Sequence, residues 1–331
     1  MMFKKLCMIT ILVFTMMATA QGVFAKQVFR VGLGDAIDSD QGAMAKQFKS
    51  LVESLSDGEI TVELFPNGAL GTETEMLQNT RMGTLDMAFV GVGNAVPFVK
   101  ALGALTMPYV IADHFDAIKA TTGGLGEHWN KLAMEKGGFQ ILGWTYSNFR
   151  FITNSKRPIK KLADLKGLKI RVPQNKIIMA TLSSWGANPV PMAWSETFTG
   201  LQQGVIDGQE NPYIVNYTTK FHEVQNYLTE VHYQYSLQPL IVGVRAWKQY
   251  DQKTREILTR AGIEAQQYCI AFQILESEKA KQGMIDGGVE VSVLEDEEEW
   301  KKIAIEKVWP EYYEFIGGKQ NLDLLIEALK K

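Results

Sequence analysis

The sequence has 331 residues, a mass of 37.1 kDa and a formal net charge of −3. At about 150 residues per domain, this length predicts two domains. Hydrophobic residues make up 46% and charged residues 21%, which excludes a disordered chain, a collagen-like fibre and a polytopic membrane protein. A general nucleic-acid binder is also excluded, because the sequence has neither a basic excess nor a block of Lys and Arg.

The first segment has the pattern of a secretory signal peptide. Two lysines precede an apolar run at residues 6–20, which is shorter than the roughly 20 residues that span a bilayer. We expect cleavage after Ala25, and Ala20 ends a second possible cleavage site. The alternative is that the segment is not cleaved and serves as a membrane anchor helix. Removal of residues 1–25 leaves a chain with no other stretch apolar enough to cross a membrane.

The cysteines and histidines in the sequence argue against disulfide bonds and metal sites. Cys269 is the single cysteine after cleavage, so we expect no intramolecular disulfide. None of the four histidines stands at a zinc-ligand spacing from another or from the cysteine, so we expect no structural zinc site and no other metal. No motif in the sequence indicates a cofactor.

The first half of the mature chain alternates strand-like and helix-like segments. Alternating or continuous apolar residues predict strands at residues 28–31, 60–64 and 85–90. Helices are predicted at residues 44–55 and 73–82, the first because its apolar residues recur at i, i+4, i+7, i+8 and i+11. This βαβαβ order indicates an α/β domain with a largely parallel sheet.

A second run of the same kind begins near residue 139. Strands are predicted at residues 139–142, 151–153 and 168–172, and a helix at 176–185. A further helix follows Ser195, which we expect to be its N-cap. Beyond about residue 250 the pattern is strongly helical, and the acidic residues there predict a solvated helix start.

A weak internal repeat links the two runs. Gly83-Thr84-Leu85-Asp86 and Gly204-Val205-Ile206-Asp207 each end a helix and lead to the next strand at the same spacing. We expect the two aspartates to tie the helix–strand turn. The repeat and the doubled pattern indicate two similar domains that enclose a cleft, with ligands at the carboxyl ends of strands. Those ends are residues 34–39, 89–91, 171–175 and 210–213.

Catalytic signatures are missing, and one arginine stands out instead. The sequence contains no Gly-x-Ser-x-Gly elbow, no phosphate-binding loop and no His-Glu-x-x-His motif, so we expect no enzyme. Arg171 alternates with apolar residues at the end of a predicted strand, where a guanidinium can hold a carboxylate through two parallel hydrogen bonds. An exposed salt bridge is the alternative, since most arginines are exposed.

Several stretches resemble one family. Residues 166–173, Lys-Gly-Leu-Lys-Ile-Arg-Val-Pro, are similar to a hallmark of the DctP-type solute-binding proteins of TRAP transporters. Further stretches agree in order and spacing, at residues 65–71, 83–87, 150–154, 186–192, 204–212 and 220–224. The resemblance runs from about residue 28 to 300, and several motifs in register make it specific.

The resemblance implies a periplasmic binding protein that is not an enzyme. It would capture a small organic acid and deliver it to a permease made of a small and a large membrane subunit. The implied fold is α/β, a class II-like periplasmic-binding-protein fold with a hinge-closing cleft between two domains, a long connecting helix and C-terminal helices. A ligand-presenting sensor for a receptor kinase and a periplasmic enzyme are the alternatives.

The same resemblance implies the bounds of the two domains. Domain I is expected at residues 26–147 plus 237–276, and domain II at residues 148–236 plus 277–305. A C-terminal helical segment is expected at residues 306–331, with an apolar stripe that packs on its own domain. Dimerisation through this stripe is the alternative.

Carried over residue by residue, the resemblance implies three carboxylate contacts. Arg171 is similar to the family's clamping arginine, Arg150 to a second and more variable contact, and Asn211 to the amide that hydrogen-bonds the same carboxylate. Gly91 stands where sialic-acid-binding members carry an acidic residue, so sialic acid is not expected. C4-dicarboxylates, sugar acids, keto acids and aromatic acids all fit one clamp.

Aromatic and acidic residues complete the set of candidates. We expect Trp194 and Tyr213, with Phe89 and Phe149, to form aromatic walls for an apolar or flat part of the ligand or for a cation. Core packing is the alternative. Glu73, Asp38 and Asp40 are candidate contacts for hydroxyl or amino groups, with solvated helix caps as the alternative.

Overall fold

The computed structural model describes residues 26–330, so the predicted signal peptide lies outside the described residues. The strands of the first sheet are β1 Gln27–Gly32, β2 Ile60–Phe65, β3 Met87–Phe89, β4 Phe139–Phe149 and β10 Tyr235–Gly243. The strands of the second sheet are β5 Phe151–Asn154, β6 Lys169–Val172, β7 Asn188–Pro191, β8 Gly208–Asn211, β9 Tyr227–Glu230 and β11 Glu290–Val293. Their orders are β2-β1-β3-β10-β4 and β11-β9-β5-β8-β6-β7.

Helices cover both sheets. They are α1 Asp40–Leu55, α2 Glu73–Met82, α3 Val92–Ala95, α4 His114–Thr121, α5 Gly123–Leu132, α6 Leu162–Leu165, α7 Lys176–Ser184, α8 Trp194–Gln202, α9 Tyr213–Thr218, α10 Val244–Gln249, α11 Gln252–Asp286, α12 Glu297–Tyr312 and α13 Lys319–Leu329. Short 3₁₀ helices lie at Lys100–Thr106 and Phe221–Glu223, and a π-helical turn at Ala133–Gly137. Within the described chain, no helix is both long enough and apolar enough to cross a bilayer.

The α/β class is confirmed, and the predicted parallel core of the first sheet is present. Strand β1 pairs in parallel with β2 and β3, while β10 runs antiparallel to β3 and β4. Helix α1 begins earlier than expected, because the side chain of Ser39 accepts a hydrogen bond from Gly42 N and caps it. The expected N-cap Ser195 is wrong, since α8 already begins at Trp194 after Ala193.

The chain crosses between the sheets three times. Strands β4 and β5 are separated by a single residue, Arg150, and belong to different sheets. The return crossing runs from β9 to β10. The third crossing, from β10 to β11, runs through the long helix α11, which packs against α1 and β4 and also against α9. The strands of the first sheet come from the expected domain I and those of the second from the expected domain II, except that β4 continues to Phe149 and β10 begins at Tyr235. The domain bounds themselves stay a prediction.

The internal repeat has a shared structural basis. The Asp86 carboxylate accepts a 2.8 Å hydrogen bond from Arg30 N in β1, and Asp207 accepts one of 2.9 Å from Lys169 N in β6. Gly83 and Gly204 precede them in the left-handed region, at φ 84° and 70°, where a side chain would be strained. Each aspartate therefore ties a helix–strand turn to the neighbouring strand, as expected.

The C-terminal helix packs on the body of the protein. Two residues of its apolar stripe, Leu322 and Leu325, are fully buried in the same core as α4 and the 3₁₀ helix Lys100–Thr106. This is the packing expected for the stripe. Helix α12 runs through the expected boundary at residue 306, so the segment does not begin at an element end.

Candidate ligand-binding cleft

A cavity lies between the two sheets, and the empty space within it and at its open side is about 500 Å³. Each of the four predicted strand ends supplies at least one lining residue, among them Asp35, Gly91, Arg171 and Asn211. The carboxyl ends of strands from both sheets therefore converge on one space. A second pocket, with about 720 Å³ of empty space that includes open solvent, shares Glu73, Asn94, Arg171, Pro173 and Trp194 with the cavity.

Arg171 is a buried cation on the second-sheet side of the cavity. Its residue is 3% exposed, and its Nε and Nη2 donate to the carbonyl oxygen of Met192 at 3.0 and 2.8 Å. The guanidinium carbon lies 5.5 Å from the ring centroid of Trp194. Within residues 26–330, no carboxylate forms an ion pair with Arg171. Burial, together with the positive charge of Arg150, therefore lowers the pKa of Arg171 to about 10, despite a partial offset from Glu210.

Arg150 has a different environment, although it lines the same cavity. Its Nε donates to Oε2 of Glu210, and its Nη2 donates at 2.8 Å to both Oε1 and the backbone carbonyl of Glu210. Tyr233 donates a further hydrogen bond of 2.6 Å to Glu210, which is fully buried. Burial alone would lower the pKa of Arg150, but the charge and hydrogen bonds of Glu210 outweigh it and raise that pKa.

Asn211 is held at the cavity wall by a chain of amides. Its Nδ2 donates to Gln209 Oε1 at 2.7 Å, and Gln209 Nε2 donates to Thr153 Oγ1 at 2.9 Å and Asn216 Oδ1 at 2.8 Å. These buried bonds fix the plane of the Asn211 side chain. A fixed amide beside Arg171 can contact the same ligand carboxylate without an ordering cost.

The first-sheet side of the cavity is acidic and polar. The carboxylate of Glu73, the first residue of α2, accepts hydrogen bonds from Gly91 N at 2.9 Å and from Asn94 Nδ2. A Cβ at position 34 would lie 2.6 Å from Glu73 Oε1, so glycine at this position makes room for the carboxylate. Amide and hydroxyl side chains from the start of β10 and the residue before it continue this wall: Gln234, Ser236 and Gln238.

Asp35 lies within this wall and Asp40 lies behind it, and both carboxyl groups are buried. Asp35 lines the cavity and accepts a 3.3 Å hydrogen bond from Gln238 Nε2. Burial, and then the negative charges of Asp40 and Glu73, raises the pKa of Asp35 well above its ordinary range. Asp40 accepts a hydrogen bond from Ser147 Oγ, while its Oδ1 is buried without a partner in the described chain. Burial also raises the pKa of Asp40.

The expected aromatic walls are wrong at three of four positions. Phe89 is fully buried in the core on the far side of β3. Phe149 packs on Tyr235 with ring centroids 5.4 Å apart. Tyr213 packs on Phe151 at 4.8 Å, and its hydroxyl donates to Glu230 at 2.8 Å. These rings fill dry cores, where their apolar area is removed from water, and Trp194 alone of the four lines the cavity.

Asp38 is also outside the cavity. Its side chain is 80% exposed and pairs with Lys46 Nζ at 3.4 Å, which is the solvated role given as the alternative. The structure brings together six of the ten predicted site residues at the cavity: Glu73, Gly91, Arg150, Arg171, Trp194 and Asn211. Sequence reasoning missed Asn94, Gln234, Ser236 and Gln238, and it preferred Asp38 to Asp35 within the correct segment, residues 34–39.

The geometry defines the class of protein, a two-lobed solute-binding protein with a buried cation in its cleft. Residues 35–315 match the family described as bacterial extracellular solute-binding protein, family 7, or DctP. This match covers most of the chain, which therefore belongs to the DctP family of TRAP solute-binding proteins. The expected family and its solute-binding class are confirmed. Within the described residues, no group of three or more His, Cys, Asp or Glu side chains could hold a metal ion.

Characterised relatives and solved structures agree with this assignment. The chain is 33% identical over 267 residues to the 2,3-diketo-L-gulonate-binding periplasmic protein of Escherichia coli, with 81% of each chain covered. A sugar acid binding protein of Advenella mimigardefordensis in complex with galactonate has a TM-score of 0.88 and 29% identity. A TRAP periplasmic solute-binding protein of Polaromonas bound to D-erythronate has a TM-score of 0.84 and 31% identity. Both comparisons cover 92% of this chain and 98% of the other.

Proposed function

We propose that this protein captures a hydroxylated monocarboxylate of the sugar-acid class and delivers it to a TRAP permease with a small and a large membrane subunit. One observation carries the proposal: Arg171 is buried at the cleft with no carboxylate partner in the described chain. A ligand carboxylate supplies the missing anion, and Asn211 contacts it from the side. Charge-assisted pairs of this kind are about twice as strong as neutral hydrogen bonds.

The opposite wall supports a hydroxylated ligand over a dicarboxylate. A second ligand carboxylate would lie against Glu73, and like charges in a desolvated site repel. Hydroxyl groups, in contrast, can donate to the carboxylate of Glu73 and accept from the amide of Asn94. The relatives that bind galactonate, D-erythronate and 2,3-diketo-L-gulonate support the same class. We therefore place C4-dicarboxylates below sugar acids.

The lining also disfavours aromatic acids. Among the described residues, Trp194 is the one aromatic side chain at the cavity, and its ring already faces the guanidinium of Arg171. A flat apolar ligand would therefore leave the buried polar groups of the first-sheet wall without partners. An unpaired buried polar group costs about 1–3 kcal/mol, so each one would reduce the affinity for such a ligand.

The test is a thermal-shift and calorimetric screen of the mature protein, refolded from denaturant to remove any ligand that co-purifies. The panel is D-galactonate, D-erythronate, succinate, galactonamide and galactose. A sugar acid at 100 times its Kd adds about 2.7 kcal/mol, which raises Tm by several degrees. Tighter binding of succinate than of either sugar acid would overturn the ligand class, and equal binding of galactonamide would overturn the Arg171 clamp.

Delivery and location have their own tests. We propose that residues 1–25 direct the chain to the periplasm and are removed there. Amino-terminal sequencing of the protein from a periplasmic extract should begin at Lys26. Proteoliposomes that contain both permease subunits should accumulate the sugar acid only when the loaded binding protein is added. Uptake that is the same with and without the binding protein would contradict the transport role.

A further inference from the structure

The region around the cavity contains more carboxyl groups than cations before any ligand enters, because Asp40 and Glu210 lie behind the two carboxyl groups that line it, Asp35 and Glu73. Its cations are Arg150 and Arg171. Four carboxyl groups interact with them or with one another in the same buried region: Asp35, Asp40, Glu73 and Glu210. A ligand carboxylate adds one more negative charge. Because an unpaired buried charge is very costly, a group in this region becomes neutral instead of remaining ionised.

Each of the other three carboxyl groups has a cationic partner, a helix amino terminus or a short hydrogen bond that Asp35 lacks. Glu210 receives the bidentate guanidinium of Arg150. Glu73 accepts two hydrogen bonds from Gly91 N and Asn94 and stands at the amino terminus of α2, where helix dipoles favour an anion. Asp40 stands at the amino terminus of α1 and accepts a hydrogen bond from Ser147, although its other oxygen is buried without a partner in the described chain and burial raises its pKa.

Asp35 has the weakest support as an anion. Its carboxylate accepts one long hydrogen bond of 3.3 Å, from the neutral amide of Gln238. The negative charges that face it are Asp40 from α1 and Glu73 from α2, while Arg150 between the sheets and Arg171 from β6 face it as cations. Behind Asp40 lie two further titratable groups, Tyr235 of β10 and Cys269 of α11, both neutral because burial raises their pKa values.

We propose that Asp35 is protonated in the filled cleft and meets the ligand as a hydrogen-bond donor, so that the ligand anion binds together with one proton. This inference rests on the proposed function of the same site. The proton comes from solvent as the cleft closes and returns to it as the cleft opens. Asp35 then selects for an acceptor oxygen on the ligand, which a carboxylate in that position could not do.

The sign of the pH dependence follows from the two environments of Asp35. Burial is the largest cause of the raised pKa of Asp35 in the structure. In an open cleft that solvent reaches, this cause is removed, so the pKa of Asp35 is lower there than in the closed, filled cleft. Affinity is then constant at a pH below the pKa of Asp35 in the open cleft. It falls by up to tenfold per pH unit up to the pKa of Asp35 in the filled cleft, and is constant above it. Arg171, with a pKa of about 10, stays charged below pH 8.5, and so does the ligand carboxylate above pH 5.5.

Calorimetry with D-galactonate tests the proposal directly. At pH 7, titrations in phosphate and in Tris should give heats that differ by the uptake of close to one proton. Affinity should fall at least tenfold between pH 6 and pH 8. Binding of galactonate with equal heats in both buffers and a flat pH profile would overturn this inference and leave the proposed function intact. If no sugar acid of the panel binds, the proposed function fails, and this inference fails with it.

Matched variants assign the proton. Asp35→Asn keeps a donor and removes the titration, so its binding should lose both the buffer dependence and the pH profile. Asp38→Asn makes the same change on the same segment at an exposed side chain, and it should bind like the wild type. Wild-type proton uptake in Asp35→Asn would show that another group carries the proton and would overturn the assignment. The wild-type titrations decide the question of proton uptake even if Asp35→Asn does not fold.

Discussion

The carboxylate of Glu210 is fully engaged by Arg150, through paired contacts to both of its oxygens and a third to its backbone carbonyl. Arg150 is the residue between β4 and β5, and Glu210 is in β8, which pairs with β5. The ion pair therefore connects the crossing between the sheets to the second sheet. The ion pair is neutral as a unit. Its presence leaves Arg171 as the cleft cation available to a ligand anion.

Replacing Arg171 by Lys should weaken binding of D-galactonate by about 10- to 100-fold. Lysine keeps the charge but loses the planar fork, so one of two charge-assisted hydrogen bonds disappears, each worth about 1.5–3 kcal/mol. Isothermal calorimetry measures the change. Arg245→Lys, at an exposed position of α10, is the matched control and should bind like the wild type. An unchanged Kd in Arg171→Lys would contradict the clamp.

The empty protein should become more stable when Arg171 is replaced by Met. The pKa of Arg171 is lowered from an ordinary 12.5 to about 10, so the folded state disfavours the protonated form at every pH below about 10. Removal of the cation should raise the free energy of unfolding by about 1–2 kcal/mol at pH 7, after the loss of the bonds to Met192. Urea denaturation without ligand checks this, and a destabilised variant would show that the cation has a partner in the empty protein.

Glu210→Gln should destabilise the protein strongly. The change leaves the buried guanidinium of Arg150 without its anion, and breaking a buried pair in this way costs about 3–5 kcal/mol. Chemical denaturation of the ligand-free variant measures the loss. Glu223→Gln removes the partner of Lys220 in an exposed pair 3.9 Å apart and should change stability by less than about 0.5 kcal/mol. Equal effects of the two changes would mean that burial of the Arg150 pair contributes nothing.

The fold was largely predictable because its signals are local. The period-2 and period-3.6 patterns located β1, β2, α1 and α2 to within a few residues, and the repeat around Asp86 and Asp207 indicated two similar lobes. The strand-end rule then selected four segments that do line one cavity. These inferences need no knowledge of which face of an element is buried.

The rest of the site depends on which face of a strand meets solvent. Phe89 and Phe149 stand near strand ends next to the cavity, yet their side chains point into the cores. Asp35 and Asp38 differ by three residues in one loop, and packing of Gln238 and Asp40 around the first makes it the buried one. Gln234 and Ser236 come from the crossing into β10, and no motif in the sequence marks that crossing as part of a site.

The two lobes meet across the cleft where Asn175 Nδ2 lies 3.4 Å from the carbonyl oxygen of Gly93. A Cβ at position 93 would lie 3.1 Å from this nitrogen. Asn175 cannot swing aside cheaply, because its Oδ1 caps α7 by accepting from Ile177 N and Ile178 N. A larger side chain at position 93 should therefore hold the lobes apart.

Gly93→Leu should lower the affinity for D-galactonate at least tenfold, because it opposes closure, while the empty protein keeps its stability. Small-angle scattering should show that ligand no longer reduces the radius of gyration. Gly124→Leu places the same side chain on α5, where nothing lies within 4 Å of an added Cβ, and it should close and bind normally. Wild-type affinity and closure in Gly93→Leu would mean that the contact between Gly93 and Asn175 does not form when the ligand binds, and that the lobes close along a different path.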